Sequence, residues 1–359
     1  PAWDQAVLNS GPFVLGRSMV PGMSDYHSQV RDMGRILFHR EGPCVTVAVR
    51  ESGQRLRTLV VNGKPDASTL LDMKTQRLVA HLPLALHPDP KEVLVIGLGS
   101  GVTAGAVLRH PVRRSTVVEL SPEVVEASRY FNPESGAPLS DPRTRLIVAD
   151  GGTHMFRTAD RYDVIVSEPT NPWISGVSSL FTREYFERCR ERLGKKGVMS
   201  QWLQAYSLPS EDFMSIARTF RSVFPNATLW KSVSGADYIL IGTRDAAPLQ
   251  VANLQRSFAY TGVRRECADV EVRDERDLLA HFMCGPKGLD RLTAGARLQA
   301  DDRLDLEFSA PRHVGLGAAD ALMAVLAHLT ESPLSLMPLT TAQLTEIELR
   351  RKRYEAYDL

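Results

Sequence analysis

The sequence predicts an α/β protein built on a doubly wound, mainly parallel sheet. Its 359 residues are 43% hydrophobic and 24% charged, enough for a sizeable buried core in one large or two moderate domains. From residue 92 onward, short apolar runs alternate with helical segments, as is typical of parallel strands covered on both faces. A glycine-rich turn links the first of these strands to a helix. These observations exclude a disordered or fibrous chain.

A small antiparallel β region is predicted to precede this sheet, over residues 1–66. Its strand-like runs are short and separated by turn signals such as Asn62-Gly63; they cover residues 13–15, 44–49 and 56–61. A helix with regularly spaced leucines is then predicted over residues 70–86, where the prolines that follow would stop it.

The central domain is predicted over residues 67–313. Its strands are predicted at residues 93–96, 115–119, 145–148, 162–167, 198–200 and 238–241. Its helices are predicted from the glycine turn to residue 109 and at residues 122–131, 181–193 and 210–224. A tail over residues 314–359 is predicted to form two helices, the second ending in a charged run.

Charge and composition argue against several classes of function. With 43 Lys and Arg against 42 Asp and Glu, the net charge is +1 and evenly spread, so we expect no nucleic-acid partner. The four cysteines lie far apart without a CxxC motif, which favours a reducing compartment over a disulfide framework. No histidine or cysteine spacing is typical of a metal site, and we expect no metal. No apolar run reaches the roughly 18 residues that span a bilayer.

The glycine turn after the first central strand carries the first functional signal. Gly97, Gly99 and Gly101 flank Leu98 and Ser100 at the start of a helix. Glycines allow the backbone to approach a ligand closely, and a helix N-terminus presents free N–H groups. The turn alone is a weak signal for a nucleotide site.

Acidic residues at the ends of the next two strands strengthen that signal. Glu119 follows the glycines by about 20 residues, where an acid can accept hydrogen bonds from both ribose hydroxyls. These two features predict an adenosine-type ligand and leave NAD open. The third strand ends in Asp150-Gly151, and an acid there can reach the amino group of an adenine, which favours S-adenosylmethionine chemistry. The simpler interpretation makes both acids solvated loop residues.

The fourth strand ends in Glu168, at the sheet edge where a base that faces the substrate is expected. Trp173 lies in the loop that follows. Trp173, Trp202 and Trp230 could wall a pocket for a cation, although tryptophans are more often core residues. Among the three, the position after Glu168 favours Trp173.

Several ordered motifs resemble the polyamine aminopropyltransferases, the spermidine and spermine synthase family. They lie within roughly residues 61–243, at residues 82–91, 118–122, 149–151, 162–165 and 179–182. The closest resemblance is to the branch fused to N-terminal membrane-spanning helices. It implies a Rossmann-like, class I methyltransferase-type fold. It also implies transfer of an aminopropyl group from decarboxylated S-adenosylmethionine to a small amine or polyamine, with release of methylthioadenosine.

The resemblance assigns further roles and exposes departures from the family pattern. Glu168 stands where the family has the Asp proposed to take the amine proton, and it is one methylene longer. Asn171 replaces the family's second acid in this loop, and Ser100 replaces the Asp that contacts the donor's amine. Gln76 carries over as a donor contact. Asp66 could supply a carboxylate that is lost elsewhere.

Two alternatives follow from these departures. Ser100 would not repel the carboxylate of intact S-adenosylmethionine, so a methyltransferase, or an enzyme that cyclises or cleaves the amino-acid arm, is the second hypothesis. A non-catalytic nucleoside-binding sensor is the third. The resemblance also allows a homodimer, and a membrane-spanning region before residue 1 that would tether a cytoplasmic domain to the inner face of a membrane.

Overall fold

A computed structural model describes residues 4–11, 26–70, 72–233, 236–245, 249–314 and 319–357. The described residues form a four-stranded antiparallel sheet and an eight-stranded, mainly parallel sheet, with helices around the second. The predicted fold class is confirmed. The predicted boundaries at residues 66 and 313 stay predictions.

The N-terminal sheet is a simple antiparallel meander. Short helices α1 (Gln5–Leu8) and α2 (Tyr26–Asp32) precede strands β1 (Arg35–Glu41), β2 (Thr46–Ser52), β3 (Leu56–Val61) and β4 (Lys64–Ser68), which pair in chain order. The predictions missed β1 and β4. Pro65 gives β4 the appearance of a turn, and proline is compatible with it because β4 is an edge strand. The strand predicted at residues 13–15 lies outside the described residues.

The central domain alternates strands and helices as predicted. The strands are β5 (Glu92–Ile96), β6 (Arg114–Glu119), β7 (Thr144–Val148), β8 (Tyr162–Ser167), β9 (Leu193–Gln204), β10 (Thr228–Lys231), β11 (Asp237–Thr243) and β12 (Phe282–Cys284). The helices between them are α3 (Asp72–Leu86), α4 (Val102–Val107), α5 (Pro122–Ser128), α6 (Asn132–Ser135), α7 (Gly151–Arg157), α8 (Arg183–Arg192) and α9 (Ser210–Val223). Strands β10 and β12 were not predicted.

The strand order of the large sheet is β12-β10-β11-β9-β8-β5-β6-β7. Strands β5 to β9 pair in parallel, whereas β11 runs antiparallel to β9 and β10 runs antiparallel to β11. The chain leaves β5 toward β6 and β7, then returns to the other side of β5 as β8. This reversal opens a crevice at the carboxyl ends of β5 and β8, where doubly wound sheets bind ligands.

Helices cover both faces of the large sheet and bury two hydrophobic clusters. One cluster packs the leucines of α3, such as Leu78 and Leu82, against Val95 of β5. The other gathers aromatic side chains of α8 and α9, including Phe186 and Phe220. A third, smaller cluster packs the N-terminal sheet on α5, which fixes β3 and β4 beside the crevice.

Helices α10 (Val251–Ala259), α11 (Thr261–Ala268), α12 (Glu275–Ala280), α13 (Pro286–Leu292) and α14 (Asp305–Ser309) complete the domain, and α15 (Ala319–Ala327) and α16 (Thr341–Tyr357) form the tail. The two-helix tail was predicted. In the described ranges, no helix combines the length and the apolar character needed to cross a bilayer. The membrane region before residue 1 and the homodimer stay predictions.

Candidate active site

A cavity of about 520 Å³ lies over the carboxyl edge of the parallel strands. Its walls come from the ends of β5 to β8, from the N-terminal part of α3, from β3 and β4, and from the start of β11. The structure therefore brings most of the predicted site residues to one place. The cavity-lining predicted residues are Asp66, Gln76, Gly97, Gly99, Ser100, Glu119, Asp150, Gly151, Glu168, Asn171 and Trp173.

The three glycines of the turn serve different purposes. Gly97 has φ +94°, and a Cβ there would lie 2.4 Å from the Glu168 carbonyl oxygen, so only glycine lets β5 and β8 approach this closely. Gly99 has φ +51°, and a Cβ there would meet only open space. Gly101, a predicted binding residue, does not line the cavity. It faces Pro138 and Leu98 at the start of α4, so its role is in the turn itself.

Glu119 is held rigidly at the end of β6. Its Oε2 accepts a hydrogen bond of 2.9 Å from the Leu98 N–H, and its Oε1 accepts one of 2.9 Å from the Ser121 N–H. Burial raises the pKa of Glu119, and these backbone donors oppose that rise because they stabilise the carboxylate. The carboxylate is thus oriented before any ligand arrives, as a ribose contact requires.

Asp150 and Gly151 follow β7, at the carboxyl edge of the parallel strands. Asp150 caps α7, accepting a hydrogen bond of 2.7 Å at Oδ1 from the Thr153 N–H. A Cβ on Gly151 would come within 2.7 Å of Ile96 Cγ2, which explains the glycine by close packing. Asp150 Oδ1 therefore caps the helix. The contact of Asp150 with an adenine amino group stays a prediction, and it would be made by the other carboxylate oxygen.

Glu168 sits at the centre of the cavity wall, directly after β8. Burial raises its pKa to about 7, while a hydrogen bond with Thr103 lowers it and the charges of Asp237 and Asp72 raise it further. The extra methylene, relative to an Asp, lets the carboxylate turn toward the Thr103 hydroxyl. A carboxyl with a pKa near neutrality is suited to accept a proton from an amine.

Ser100 and Gln76 form a neutral pair on the wall next to Glu168. The Ser100 hydroxyl donates a hydrogen bond of 2.5 Å to Gln76 Oε1 and accepts one of 3.3 Å from the Val102 N–H. Ser100 is 1% exposed. The pair presents dipoles, and neither of its side chains carries a charge.

The loop after β8 contributes an amide and an aromatic ring. Asn171 is completely buried, and its amide nitrogen lies 3.4 Å from the Tyr206 hydroxyl. In the described part of the chain, Asn171 Oδ1 and Trp173 Nε1 have no hydrogen-bond partner. The Trp173 and Tyr206 rings meet edge to face with centroids 6.3 Å apart. Buried polar atoms of this kind are usually satisfied by a ligand or water.

Asp66 reaches the cavity from β4, but its charge is already balanced. The Lys64 ammonium forms an ion pair with Asp66 Oδ1, and the Thr170 hydroxyl donates a hydrogen bond of 2.7 Å to the same oxygen. This arrangement weakens the prediction that Asp66 replaces a missing substrate-binding acid.

Several cavity residues were not predicted as site residues from the sequence. They are Asp72, Thr103, Tyr206 and Asp237, and Trp202 was ranked below Trp173. Asp237 precedes an apolar run, so it could be recognised only by knowing that β11 is antiparallel, which places its start at the edge where its neighbours end. The interpretation of Trp230 as a cavity wall is wrong. It is completely buried against Phe282 and donates a hydrogen bond to Thr228, because β10 lies away from the crevice.

The cavity is strongly acidic. Six carboxylates line it, and among the described lining residues Lys64 is the only Lys, Arg or His. Lys64 is paired with Asp66, which leaves the remaining carboxylates to set the potential. In the described ranges, no cluster of His, Cys, Asp and Glu could hold a metal ion. The site is suited to a cationic ligand.

Comparisons with known proteins agree with this geometry. The family model described as the spermine/spermidine synthase domain matches residues 73–233. The polyamine aminopropyltransferase of Desulforudis audaxviator is 29% identical over 202 residues, which are 55% of this chain and 73% of that protein. The polyamine aminopropyltransferase of Bacillus subtilis is 31% identical over 180 residues, or 48% of this chain and 65% of that protein.

Solved structures show the same fold. A spermidine synthase in complex with the transition-state analogue AdoDATO superposes with a TM-score of 0.62 at 20% identity, covering 72% of this chain and 88% of that one. The spermidine synthase of Thermotoga maritima superposes with a TM-score of 0.61 at 22% identity, covering 72% and 87%.

Proposed function

We propose that this chain, which matches the spermine/spermidine synthase domain over residues 73–233, transfers an aminopropyl group from decarboxylated S-adenosylmethionine to a small amine or polyamine. The observation that supports the proposal best is the order of groups along the sheet edge. Asp150 and Glu119 lie over β7 and β6, Gly99 follows β5, and Glu168 follows β8. A nucleoside bound over β5 to β7 would bring its sulfonium next to Glu168.

The chemistry at Glu168 balances without a further reactant. The lone pair of a neutral amine attacks the carbon beside the sulfonium, and the C–S bond breaks with its electron pair moving to sulfur. Methylthioadenosine leaves as a neutral thioether, and the new ammonium gives its proton to the Glu168 carboxylate. The cavity would act mainly by holding the two reactants in line and by accepting that proton.

The neutral Ser100–Gln76 pair supports a second candidate. A carboxylate on the donor's amino-acid arm would meet dipoles there, so this wall does not itself repel intact S-adenosylmethionine. A methyltransferase, or an enzyme that cyclises or cleaves that arm, would use the same nucleoside contacts. The acidity of the rest of the cavity favours the decarboxylated donor, which carries no carboxylate.

The first experiment measures binding and product together. Calorimetry with decarboxylated S-adenosylmethionine, intact S-adenosylmethionine and methylthioadenosine gives the donor preference, and chromatography measures methylthioadenosine release with a panel of diamines. We expect the decarboxylated donor to bind more tightly and methylthioadenosine to appear only with an amine. Preference for intact S-adenosylmethionine would contradict the proposal.

The variant Glu168→Gln tests whether Glu168 is the proton acceptor. It keeps the shape of the side chain and removes the proton acceptor, so turnover should fall by roughly 100-fold or more. The affinity of the variant for methylthioadenosine should stay close to that of the unmodified protein. Unchanged turnover would remove Glu168 as the base and leave the donor preference to be explained separately.

A further inference from the structure

A carboxylate from a distant part of the chain holds the loop that follows β8. Glu307, on the short helix α14, accepts two hydrogen bonds at Oε1, one of 2.8 Å from the Ser175 hydroxyl and one of 2.9 Å from the Gly176 N–H. Its Oε2 accepts one of 2.6 Å from the Ser178 hydroxyl. One side chain therefore joins three loop residues that lie 129 to 132 positions away along the chain.

This contact depends on the charge of Glu307. Burial raises the pKa of Glu307, but the hydrogen bonds from Ser178, Gly176 and Ser175 lower it by more, so the side chain is ionised at neutral pH. An ionised carboxylate accepts hydrogen bonds at both oxygens and donates none. It therefore matches three donors, whereas an amide of the same size would turn its own N–H groups toward some of them.

Helix α14 gives Glu307 a fixed base. The neighbouring Leu306 is completely buried in the cluster that gathers the aromatic side chains of α8 and α9. The Ser309 hydroxyl lies 2.8 Å from Oδ2 of Asp212 on α9. Because α14 is anchored to the core independently of the loop, Glu307 acts as the support and the loop is the part that it positions.

The supported part of the loop forms a wall of the cavity. Residues 175–177 line the cavity, and so does Leu180. A Cβ on Gly151 would lie 3.6 Å from Leu180 Cδ2, so the loop packs beside the residues that follow β7. In the described part of the chain, neither Glu307 nor Ser178 lines the cavity. An effect of these two side chains on a ligand must therefore pass through the loop.

We propose that Glu307 is a positioning residue for the nucleoside, because it fixes the loop wall beside Asp150 and Gly151. Without its hydrogen bonds the loop would occupy other conformations, and the apparent affinity for a nucleoside would fall by the fraction of time spent in them. This inference rests on the proposed function, which places the nucleoside at Asp150. It assigns a role in binding to α14, which lies beyond the matched residues 73–233.

The test measures methylthioadenosine affinity by calorimetry. Glu307→Gln keeps the size of the side chain and removes the charge, so we expect the affinity to fall roughly 10-fold, as for lost hydrogen bonds to a partly exposed charged group. Glu307→Asp keeps the charge and should recover part of the affinity. Asp302→Asn is the matched control. Asp302 is an exposed acid of the same segment, and among the described residues no hydrogen bond or ion pair joins it to the loop, so its replacement should leave the affinity unchanged.

Two further measurements separate positioning from general stability. Ser178→Ala removes one of the three donors, and its effect on affinity should not add to that of Glu307→Gln, because both variants break the same contact. Hydrogen exchange measured by mass spectrometry should become faster in the loop peptide of Glu307→Gln, over residues 170–182, and stay unchanged in β5 and β6.

The outcomes distinguish this inference from the proposed function. If the unmodified protein does not bind methylthioadenosine, the proposed function fails and this inference fails with it. If the protein binds methylthioadenosine but releases none with any amine, only the proposed reaction fails, and the affinity of Glu307→Gln still decides the role of Glu307. If Glu307→Gln binds as tightly as the unmodified protein, or if exchange in β5 and β6 accelerates as much as in the loop, only this inference is overturned.

Discussion

At the scale of single residues, Thr103 explains how Glu168 can act as a base. Its hydroxyl oxygen lies 3.0 Å from the Gln76 carbonyl oxygen and within hydrogen-bond distance of Glu168 Oε2. A hydroxyl carries one hydrogen, so it cannot donate to both oxygens. When the hydroxyl donates to Glu168 it stabilises the carboxylate, and this hydrogen bond therefore lowers the Glu168 pKa. The carboxylate is thus kept available for the proton that an amine would release.

The pH dependence of the reaction follows from the pKa of about 7 for Glu168. Only the carboxylate can accept a proton, so we expect kcat/KM to rise as the pH increases through about 7. Thr103→Val removes a hydrogen bond that lowers this pKa, and the inflection should move to higher pH. The measurement is a profile of kcat/KM between pH 5 and pH 9 for both proteins.

Thr103→Ser is the matched control, because it keeps the hydroxyl and should restore the original inflection. An inflection that does not move in Thr103→Val would show that the hydroxyl has no part in setting the Glu168 pKa. A profile without any inflection near pH 7 in the unmodified protein would contradict the assignment of Glu168 as the base.

At the scale of secondary-structure elements, two glycines of the turn between β5 and α4 have different surroundings, so we expect their replacement to have different effects. Gly97→Ala would place a methyl group 2.4 Å from the Glu168 carbonyl oxygen at φ +94°, so β5 and β8 would have to move apart. We expect a loss of stability at least as large as the ~1–3 kcal/mol typical of a strained backbone position. Urea denaturation measures this loss.

Gly99→Ala is the comparison within the same turn. Its φ of +51° is a left-handed conformation that costs about 1–2 kcal/mol for a residue with a Cβ, but the added methyl group meets open space in the protein. It should therefore lose less stability than Gly97→Ala and lose more affinity for methylthioadenosine, because the methyl group enters the cavity. If both variants lose stability and affinity in the same proportion, the two glycines do not have separate roles.

At the scale of the whole molecule, a buried ionic network ties the cavity wall to the helices behind it. His81 lies on α3. Its Nδ1 is 2.9 Å from His110 Nε2, and its Nε2 is 3.1 Å from Oε2 of Glu266 on α11. Burial opposes the charged form of His81, but Cys267 and Glu266 more than offset it and raise its pKa to about 9. The pKa of His110 is lowered by burial and by the His81 charge, so His110 stays neutral.

The sign of the pH effect on stability follows from that shift. His81 has a higher pKa in the folded than in the unfolded protein, so its contribution is complete below about pH 6.5 and is lost as the pH rises through about 9. Glu266→Gln leaves the histidine without its counter-charge and should cost about 3–5 kcal/mol at pH 6. The cost should shrink by pH 9.5. Urea denaturation at both pH values measures it.

Glu348→Gln provides the control, since Glu348 is an exposed carboxylate on α16. Its replacement should change stability by less than about 0.5 kcal/mol at either pH. A cost for Glu266→Gln that is the same at pH 6 and pH 9.5 would mean that His81 is not the charged partner of Glu266.

Much of this protein could be predicted from the sequence because the signals are local. Continuous apolar strands, the glycine turn and acids at strand ends each lie within a few consecutive residues, and parallel strands bring their ends to one edge. Glu119, Asp150 and Glu168 were found in this way, and all three line the cavity. The sequence by itself therefore determined the fold class and which acids meet at the carboxyl edge of the sheet.

Only the tertiary structure decided which residues complete the rest of the cavity wall. Asp237 lines the cavity because β11 runs antiparallel to β9. Lys64 and Asp66, both on β4, form an ion pair. Thr103, on the helix α4 between β5 and β6, forms a hydrogen bond with Glu168, which follows β8. Trp230 is buried in the core because the strand order places β10 away from the crevice. Strand direction and order depend on contacts between segments far apart in the chain, and charge balance depends on which side chains those contacts bring together.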